Sequence, residues 1–204
     1  MESCRQPWPR SVYVTWLPTA RGAGAHCRRN SMITGRATRL TLGLALLVWG
    51  SVAYPNLAAA ELAVGDAAPT FELPGTDGNT HQLTAADESW AVVAWFPKAY
   101  TSGCTIECKS LAENGHLLRQ FKVRYYMASV DALADNQGFA AQQQADFPLL
   151  SDVSKDVAKA FGVLSSGGYA KRHTFYMNGA GTIVAIDRAV KPSTSAEDMA
   201  AMLA

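Results

Sequence analysis

The run from Trp90 to Phe96, WAVVAWF, constrains the fold more than any other stretch, because all its residues are apolar. A strand with one face in water alternates apolar and polar residues. An unbroken run of this length, rich in Val and aromatic side chains, indicates a strand that is buried on both faces. Such a strand needs a layer of structure on each side, so the run predicts the centre of a layered sheet.

Further strand and helix patterns alternate along residues 61–204. We predict strands at 71–73, 80–83, 123–130, within FPLLSD, and at 173–177 and 182–187, and helices at 104–121, 134–144, 155–161 and 195–203. Asn114-Gly115 weakens the first helix, and Ser154 is a candidate cap for the third. This order indicates an α/β domain of three layers with an N-terminal β-hairpin, and the closing hairpin makes the central sheet mixed.

Two cysteines four residues apart, Cys104 and Cys108, follow the central strand. Active sites on such sheets lie beyond the carboxyl ends of the strands. Cys104 is expected there, in the first turn of a helix, where the helix N-terminus favours the thiolate that a nucleophile requires. Thr101 precedes it by three residues, so its hydroxyl can turn back toward the sulfur. Pro97 ends the strand, fixes the loop and excludes water from one side.

Charge divides the chain into two parts. Residues 1–60 hold seven of the 18 Lys and Arg residues and one of the 17 acidic residues, so eleven basic and sixteen acidic residues remain in 61–204. The second part is therefore mildly acidic. It has no basic patch interleaved with aromatic residues, and we do not expect nucleic acid as a partner.

The basic front is typical of a targeting segment. Arg36 and Arg39 precede the apolar run 40–48, and Leu57-Ala58-Ala59-Ala60 follows, so residues 32–60 are predicted to be a secretory signal peptide. An uncleaved membrane anchor is the alternative, although the run is short for a spanning helix. Residues 1–31 are interpreted as a start assigned too early or a disordered leader; a twin-arginine signal from Arg28-Arg29 matches less well. Residues 61–204 then form the exported domain, which is periplasmic or otherwise secreted, with no membrane association after cleavage.

The segment PKAYTSGCTIEC, Pro97 to Cys108, resembles the peroxiredoxin signature P-x-x-x-T-x-x-C of the AhpC/TSA family. The form is that of the Q-type branch, also called bacterioferritin comigratory proteins. GDAAPTFELPGTDGNTHQL, FPLLSD and KRHTFYMNGAGTIVAI also fall where that branch has similar segments, so the resemblance covers about residues 64–204. It implies a thioredoxin-like fold and a monomeric thiol peroxidase. Such an enzyme reduces hydrogen peroxide and organic hydroperoxides without metal, haem or flavin, and a thioredoxin-like or other dithiol reductant regenerates it.

The resemblance also implies a role for each site residue. Cys104 is the peroxidatic cysteine, which becomes a sulfenic acid. Thr101 and Gly103 bind the peroxide, and Pro97 shields the pocket. Arg172 stabilises the thiolate and the departing oxygen, and it also contacts the substrate. The supporting residue Glu107 orients the arginine.

Two positions depart from the Q-type pattern. Ser102 replaces the usual Pro before Gly-Cys, and Cys108 lies four residues after Cys104, where the resolving cysteine of that branch usually lies five after. Residues four apart on a helix have Cβ atoms about 5–6 Å apart, whereas a disulfide requires roughly 3.8 Å. We expect Cys108 to resolve Cys104, which it can do only if the first helical turns unwind, and Gly103 and Asn114-Gly115 make that helix weak. If Cys108 does not react in this way, an external thiol would reduce the sulfenic acid of Cys104.

Two other functions remain open from the sequence. A thiol–disulfide oxidoreductase would use paired cysteines, but thioredoxin-like reductants have C-x-x-C where this chain has C-x-x-x-C. A copper-delivery protein of the Sco type would use Cys104, Cys108 and His173, a donor set that suits copper. The copper interpretation leaves Thr101 and Arg172 without a role.

Overall fold

The computed structural model describes residues 61–84 and 89–204. The predictions for residues 1–31 and 32–60 lie outside this part of the chain. In chain order the elements are β1 (Phe71–Pro74), β2 (Thr80–Leu83), β3 (Trp90–Trp95), α1 (Ser102–Asn114), α2 (His116–Arg119), β4 (Val123–Ser129), α3 (Leu133–Gln143), β5 (Leu149–Ser151), α4 (Asp156–Ala160), β6 (His173–Met177), β7 (Ile183–Asp187) and α5 (Ser195–Leu203). A single 3-10 turn, Pro192–Thr194, leads into α5.

The strands form a mixed five-stranded sheet of order β5-β4-β3-β6-β7, with β1 and β2 as a separate antiparallel hairpin. β3 is parallel to β4 and antiparallel to β6, so the sheet is mixed, as predicted. The antiparallel pairing sets Trp95 opposite His173, so the end of β3 and the start of β6 share one edge of the sheet. The three-layer α/β prediction is confirmed.

Both faces of β3 are buried, which explains its unbroken apolar sequence. Ala91, Val93 and Trp95 belong to a hydrophobic cluster with the β1–β2 hairpin and α4. The alternate residues, including Val92 and Ala94, belong to a second cluster with α1, α2, α3 and α5. We call these the hairpin-side and helix-side clusters.

The predicted helix 104–121 is two helices in the structure, and Gly115 lies between them. Gly115 is buried, and a Cβ on it would lie 2.8 Å from both the Leu111 carbonyl oxygen and Tyr125 Oη. Only a glycine fits this close approach, so the weak point that Asn114-Gly115 indicated is a break between α1 and α2.

The predicted N-cap of α4, Ser154, lies one residue before the observed N-cap, Lys155. The helix begins at Asp156, because Lys155 before it is in the left-handed region at a φ of 67°. Ser154 still contributes, since its Oγ accepts a hydrogen bond from the Asp156 N–H at 3.2 Å. No helix among the described residues has the length and apolar character that crossing a bilayer requires.

Candidate active site

The loop between β3 and α1 is fixed to the elements that flank it. The N–H of Ala99 donates to the Asp131 carboxylate at 2.9 Å, just beyond the end of β4. Tyr100 has a φ of 64°, a conformation that is uncommon for a bulky residue. Its hydroxyl donates to the Asp135 carbonyl oxygen at 3.1 Å, and its ring meets Phe139 edge-on at 5.4 Å. These contacts hold the loop at the carboxyl end of the sheet, as predicted for the site.

Cys104 lies in the first turn of α1 and is fully buried as a free thiol. Thr101 is the N-cap residue, and α1 has no side-chain cap. The first N–H groups of a helix have no intrahelical carbonyl to bond, so they can donate to a negative charge near the sulfur. The backbone at this point can therefore stabilise negative charge that develops at the sulfur or on an oxygen bound beside it.

Arg172 joins Cys104 to Glu107. Its Nη2 donates to Cys104 Sγ at 3.2 Å, and its Nη1 donates to Glu107 Oε2. Arg172 directly precedes β6, whose antiparallel pairing with β3 brings the two ends together. The sequence-predicted Cys104, Arg172 and Glu107 therefore meet at one point.

Gly103 lets the guanidinium approach the helix. A Cβ on Gly103 would lie 3.2 Å from Arg172 Nη2, closer than most real side-chain contacts. The residue is thus adjacent to the sulfur and to the cation that faces it. The role beside bound substrate that the resemblance implied for Gly103 stays a prediction.

Glu107 is a fully buried carboxyl group. Burial raises its pKa to about 7, against the opposing charge and hydrogen bond of Arg172, and Asp187 adds a smaller upward contribution. A group with this pKa changes charge close to neutral pH. The guanidinium stays charged, so the net charge of the Arg172–Glu107 pair beside Cys104 depends on the protonation of Glu107.

Cys108 lies one helical turn beyond Cys104 and is also a fully buried free thiol. Burial first, then the charges of Glu107 and Cys104, raise the pKa of Cys108 to about 12. In this conformation Cys108 is a neutral thiol without access to solvent. A disulfide with Cys104 therefore requires the first turns of α1 to unwind, as the spacing predicted.

Thr101 is exposed, and its hydroxyl points to the backbone in this structure. Oγ1 donates to the Lys98 carbonyl oxygen at 2.9 Å, and no hydrogen bond within the described part of the chain joins it to Cys104. The expected contact with the sulfur is therefore not made in this state. Because its proton is engaged by Lys98, the oxygen can only accept, as from the O–H of a peroxide. Pro97, half-buried at the start of the loop, precedes these residues.

The copper interpretation is not favoured by the geometry. Residues alternate between the two faces of β6, and His173 packs with Phe175, a member of the hairpin-side cluster. Cys104 and Cys108 belong to the helix-side cluster. Among residues 61–84 and 89–204, no group of three His, Cys, Asp or Glu side chains could hold a metal ion.

Sequence reasoning missed four residues near the site. Asp131 carries a signal, since it comes directly after a predicted strand at the active edge. Tyr100 lies inside the motif, but nothing in the sequence indicates a positive φ. Asp187 and Ser195 reach Glu107 through the packing of β7 and α5, which only the tertiary structure reveals.

Comparisons with known proteins agree with this geometry. The model of the AhpC/TSA family matches residues 64–186. Peroxiredoxin Bcp of Escherichia coli K12 is 36% identical over 102 residues, which are 50% of this chain and 65% of that protein, so the chain spans less than two thirds of it. Peroxiredoxin Bcp of Xanthomonas campestris pv. campestris is 33% identical over 148 residues, 67% of this chain and 91% of that protein.

A solved structure shows the same fold. A structure of the Xanthomonas campestris bacterioferritin comigratory protein, described in terms of its alkyl peroxide reduction activity, has a TM-score of 0.60 and 26% identity. The match covers 65% of this chain and 89% of that one. The fold is thus thioredoxin-like, as the resemblance implied. With the family model, the relatives and the Cys104–Arg172–Glu107 geometry in agreement, the chain belongs to the AhpC/TSA family of peroxiredoxins, on the branch of the Bcp proteins.

Proposed function

We propose that this chain is a thiol-dependent peroxidase that reduces hydrogen peroxide and organic hydroperoxides at Cys104. The observation that carries the proposal is the fork formed by the Arg172 guanidinium, which donates one N–H to Cys104 Sγ and another to Glu107. The fork lies at the N-terminus of α1, so a cation and backbone N–H groups converge where negative charge develops. Family membership supports the same reaction.

The first step oxidises the sulfur and reduces the peroxide. The Cys104 thiolate attacks one oxygen of ROOH, an S–O bond forms and the O–O bond breaks. The departing RO⁻ takes a proton and leaves as ROH, or as water from hydrogen peroxide, and Cys104 becomes a sulfenic acid. Arg172 lies beside the sulfur throughout, and Thr101 and Gly103 border the space that the peroxide enters. The step needs no metal, haem or flavin.

The second step restores the enzyme through Cys108. Its thiol condenses with the sulfenic acid, an S–S bond forms, and water leaves. The weak ends of α1 support this role, because unwinding brings the two sulfurs together and α1 has neither a side-chain cap nor an acidic residue in its first turn or a basic residue in its last. A thioredoxin-like or other dithiol reductant then reduces the disulfide and becomes oxidised itself.

We further propose that the enzyme is an exported, periplasmic monomer. The signal-like pattern of residues 32–60 supports export, and the resemblance to the Q-type branch supports a monomer. After cleavage of this segment the domain would carry Cys104 and Cys108 as its two cysteines. Size-exclusion chromatography tests the oligomeric state, and fractionation of the expressing cells tests the periplasmic location.

Peroxide consumption by the full-length chain with excess dithiothreitol tests the function. A background with Cys4→Ser and Cys27→Ser leaves Cys104 and Cys108 as the two thiols. We expect peroxide consumption well above the rate with free dithiothreitol, and its loss in Cys104→Ser. In Cys108→Ser, dimedone should trap a sulfenic acid. A rate no higher than that of dithiothreitol alone, in protein that is folded by circular dichroism, would overturn the peroxidase proposal.

A further inference from the structure

The Glu107 carboxyl group has one oxygen with a partner and one without. Oε2 accepts from Arg172, whereas Oε1 is buried and has no hydrogen-bond partner among the described residues. Ser195 Oγ is in the same state: it is buried, and the part of the chain that the structure describes offers it no partner. Buried polar atoms in folded proteins are nearly always paired, so two unpaired atoms in one region require an explanation.

Ser195 and Glu107 face each other across the contact between α5 and α1. Ser195 is the first residue of α5, and the next N–H, that of Ala196, donates to Ser110 Oγ on α1 at 3.3 Å. Ser110 lies one turn beyond Glu107. The Ser195 hydroxyl is close enough to lower the pKa of the Glu107 carboxyl, although the two atoms fall short of hydrogen-bond geometry. A hydroxyl donor and a carboxylate acceptor thus meet, and each lacks a partner that the other supplies.

The surroundings of Glu107 leave this hydroxyl as its second donor. The groups that act on Glu107, or on which it acts, are Arg172 before β6, Asp187 on β7, Cys108 on its own helix, and Ser195 on α5. Cys104 is connected to Glu107 through Arg172. Arg172 donates to Oε2. The charge of Asp187 opposes a negative charge on Glu107, and Glu107 and Cys108 disfavour each other's ionised forms. Besides the weakly donating thiols, the neutral donor among these groups is the Ser195 hydroxyl.

We propose that Ser195 is a positioning residue of this site: its hydroxyl donates to Glu107 Oε1 and keeps the carboxylate turned toward Arg172. The guanidinium is a rigid fork, so fixing the N–H on Glu107 also fixes the N–H on Cys104. A donor to the carboxylate favours its ionised form, so the ion pair with Arg172 persists to lower pH. The inference rests on the proposed function for its catalytic consequence, whereas the contact itself can be tested without activity.

Carbon-13 NMR of the full-length reduced chain, labelled at the Glu side-chain carboxyl, follows the protonation of Glu107 against pH, and Glu107→Gln assigns its signal. Ser195→Ala should raise the titration midpoint by about one pH unit, because it removes a hydrogen bond to a charged group. Ser195→Thr retains a hydroxyl and should keep the midpoint near the wild-type value. Thr194→Ala removes the neighbouring exposed hydroxyl, which bonds Asp198, and should leave it unchanged.

An unmoved midpoint in Ser195→Ala would overturn the proposal, as would an equal shift in Ser195→Ala and Ser195→Thr, which would indicate packing and not the hydroxyl. The rate constant with peroxide is measured against pH in parallel, and the acidic limb of that pH profile should move with the titration midpoint of Glu107. A midpoint that moves as expected in a chain without peroxidase activity would refute the proposed function and leave the Ser195–Glu107 contact standing. A limb that stays fixed while the midpoint moves would refute the positioning role.

Discussion

Gly138 on α3 lies directly against Tyr100, such that a Cβ on Gly138 would approach Tyr100 Oη to 2.5 Å. Tyr100 is the residue before Thr101, and its hydroxyl donates to the Asp135 carbonyl oxygen. The surface of α3 therefore fixes the loop that carries the motif threonine. A side chain on α3 can be expected to alter the chemistry without touching it.

Gly138→Ala should reduce the rate constant with peroxide several-fold while leaving the fold intact. The methyl group displaces the Tyr100 hydroxyl and with it Thr101, whereas Ala is favoured over Gly inside a helix by about 1 kcal/mol. Stopped-flow kinetics and urea unfolding separate the two effects. Tyr100→Phe in the same chain removes the clashing oxygen together with its bond to Asp135, so the double variant should be faster than Gly138→Ala and match Tyr100→Phe alone. A double variant as slow as Gly138→Ala alone would refute this account.

Arg172→Lys should lower the rate constant with peroxide by about 10²- to 10³-fold, a loss typical of removing a donor at a developing charge. Lysine keeps the positive charge but cannot donate to Cys104 and Glu107 as a planar fork. Competition for peroxide with a reference peroxidase measures the rate. Lys171→Met removes the adjacent exposed cation and serves as the control; if it slows the reaction as much, general electrostatic attraction explains the effect of Arg172.

Glu107→Gln should flatten part of the dependence of stability on pH. The folded-state pKa of Glu107 is about 7, above its ordinary value of 4.5, so the folded chain binds the proton more tightly than the unfolded chain. Its contribution is therefore fully present below about pH 4.5 and is lost as pH rises to about 7, the reverse of an ordinary paired carboxylate. Relative to Glu107→Gln, the wild type should lose about 3 kcal/mol of unfolding free energy across this window.

Urea unfolding of the reduced chains at several pH values measures that difference. Glu113→Gln, on an exposed residue of the same helix, should keep the wild-type slope. If the wild-type and Glu107→Gln curves run parallel from pH 4.5 to 7, Glu107 does not titrate in that range.

Ser102→Pro should slow disulfide formation two- to five-fold and leave the reaction with peroxide unchanged. Ser102 is the first residue of α1, where Pro is favoured, and Thr101 before it already has the extended backbone that precedes Pro, with φ −81° and ψ 151°. Pro there stabilises the helix by about 0.4–1 kcal/mol through the unfolded chain, and α1 must unwind to join Cys104 to Cys108. Quenched-flow mass spectrometry follows sulfenic acid and disulfide separately. An equal or faster disulfide step would contradict unwinding of the first turn.

Most of the fold could be predicted from local patterns, because the residues that bury both faces of β3 are consecutive in the sequence and so are the residues of each turn. The meeting of Cys104, Arg172 and Glu107 was implied only by the resemblance, since no local pattern relates residues 65 or more apart. The break at Gly115 was indicated as weakness but not placed, because it depends on Tyr125 from the next strand. Ser195 and Asp187 were missed for the same reason, since their relation to Glu107 arises from packing between elements.

The two hydrophobic clusters separate the part of the domain that changes during the proposed reaction from the part that keeps its packing. Cys104 and Cys108 belong to the helix-side cluster, and the continuous surface of the sheet separates them from the hairpin-side cluster. Unwinding of α1 during each catalytic cycle would disturb one cluster, while the side chains on the other side of β3 retain their packing. The sheet then acts as a template on which the helix rebuilds, so each turnover needs only local refolding, with the loop, Arg172 and the strand ends already in register.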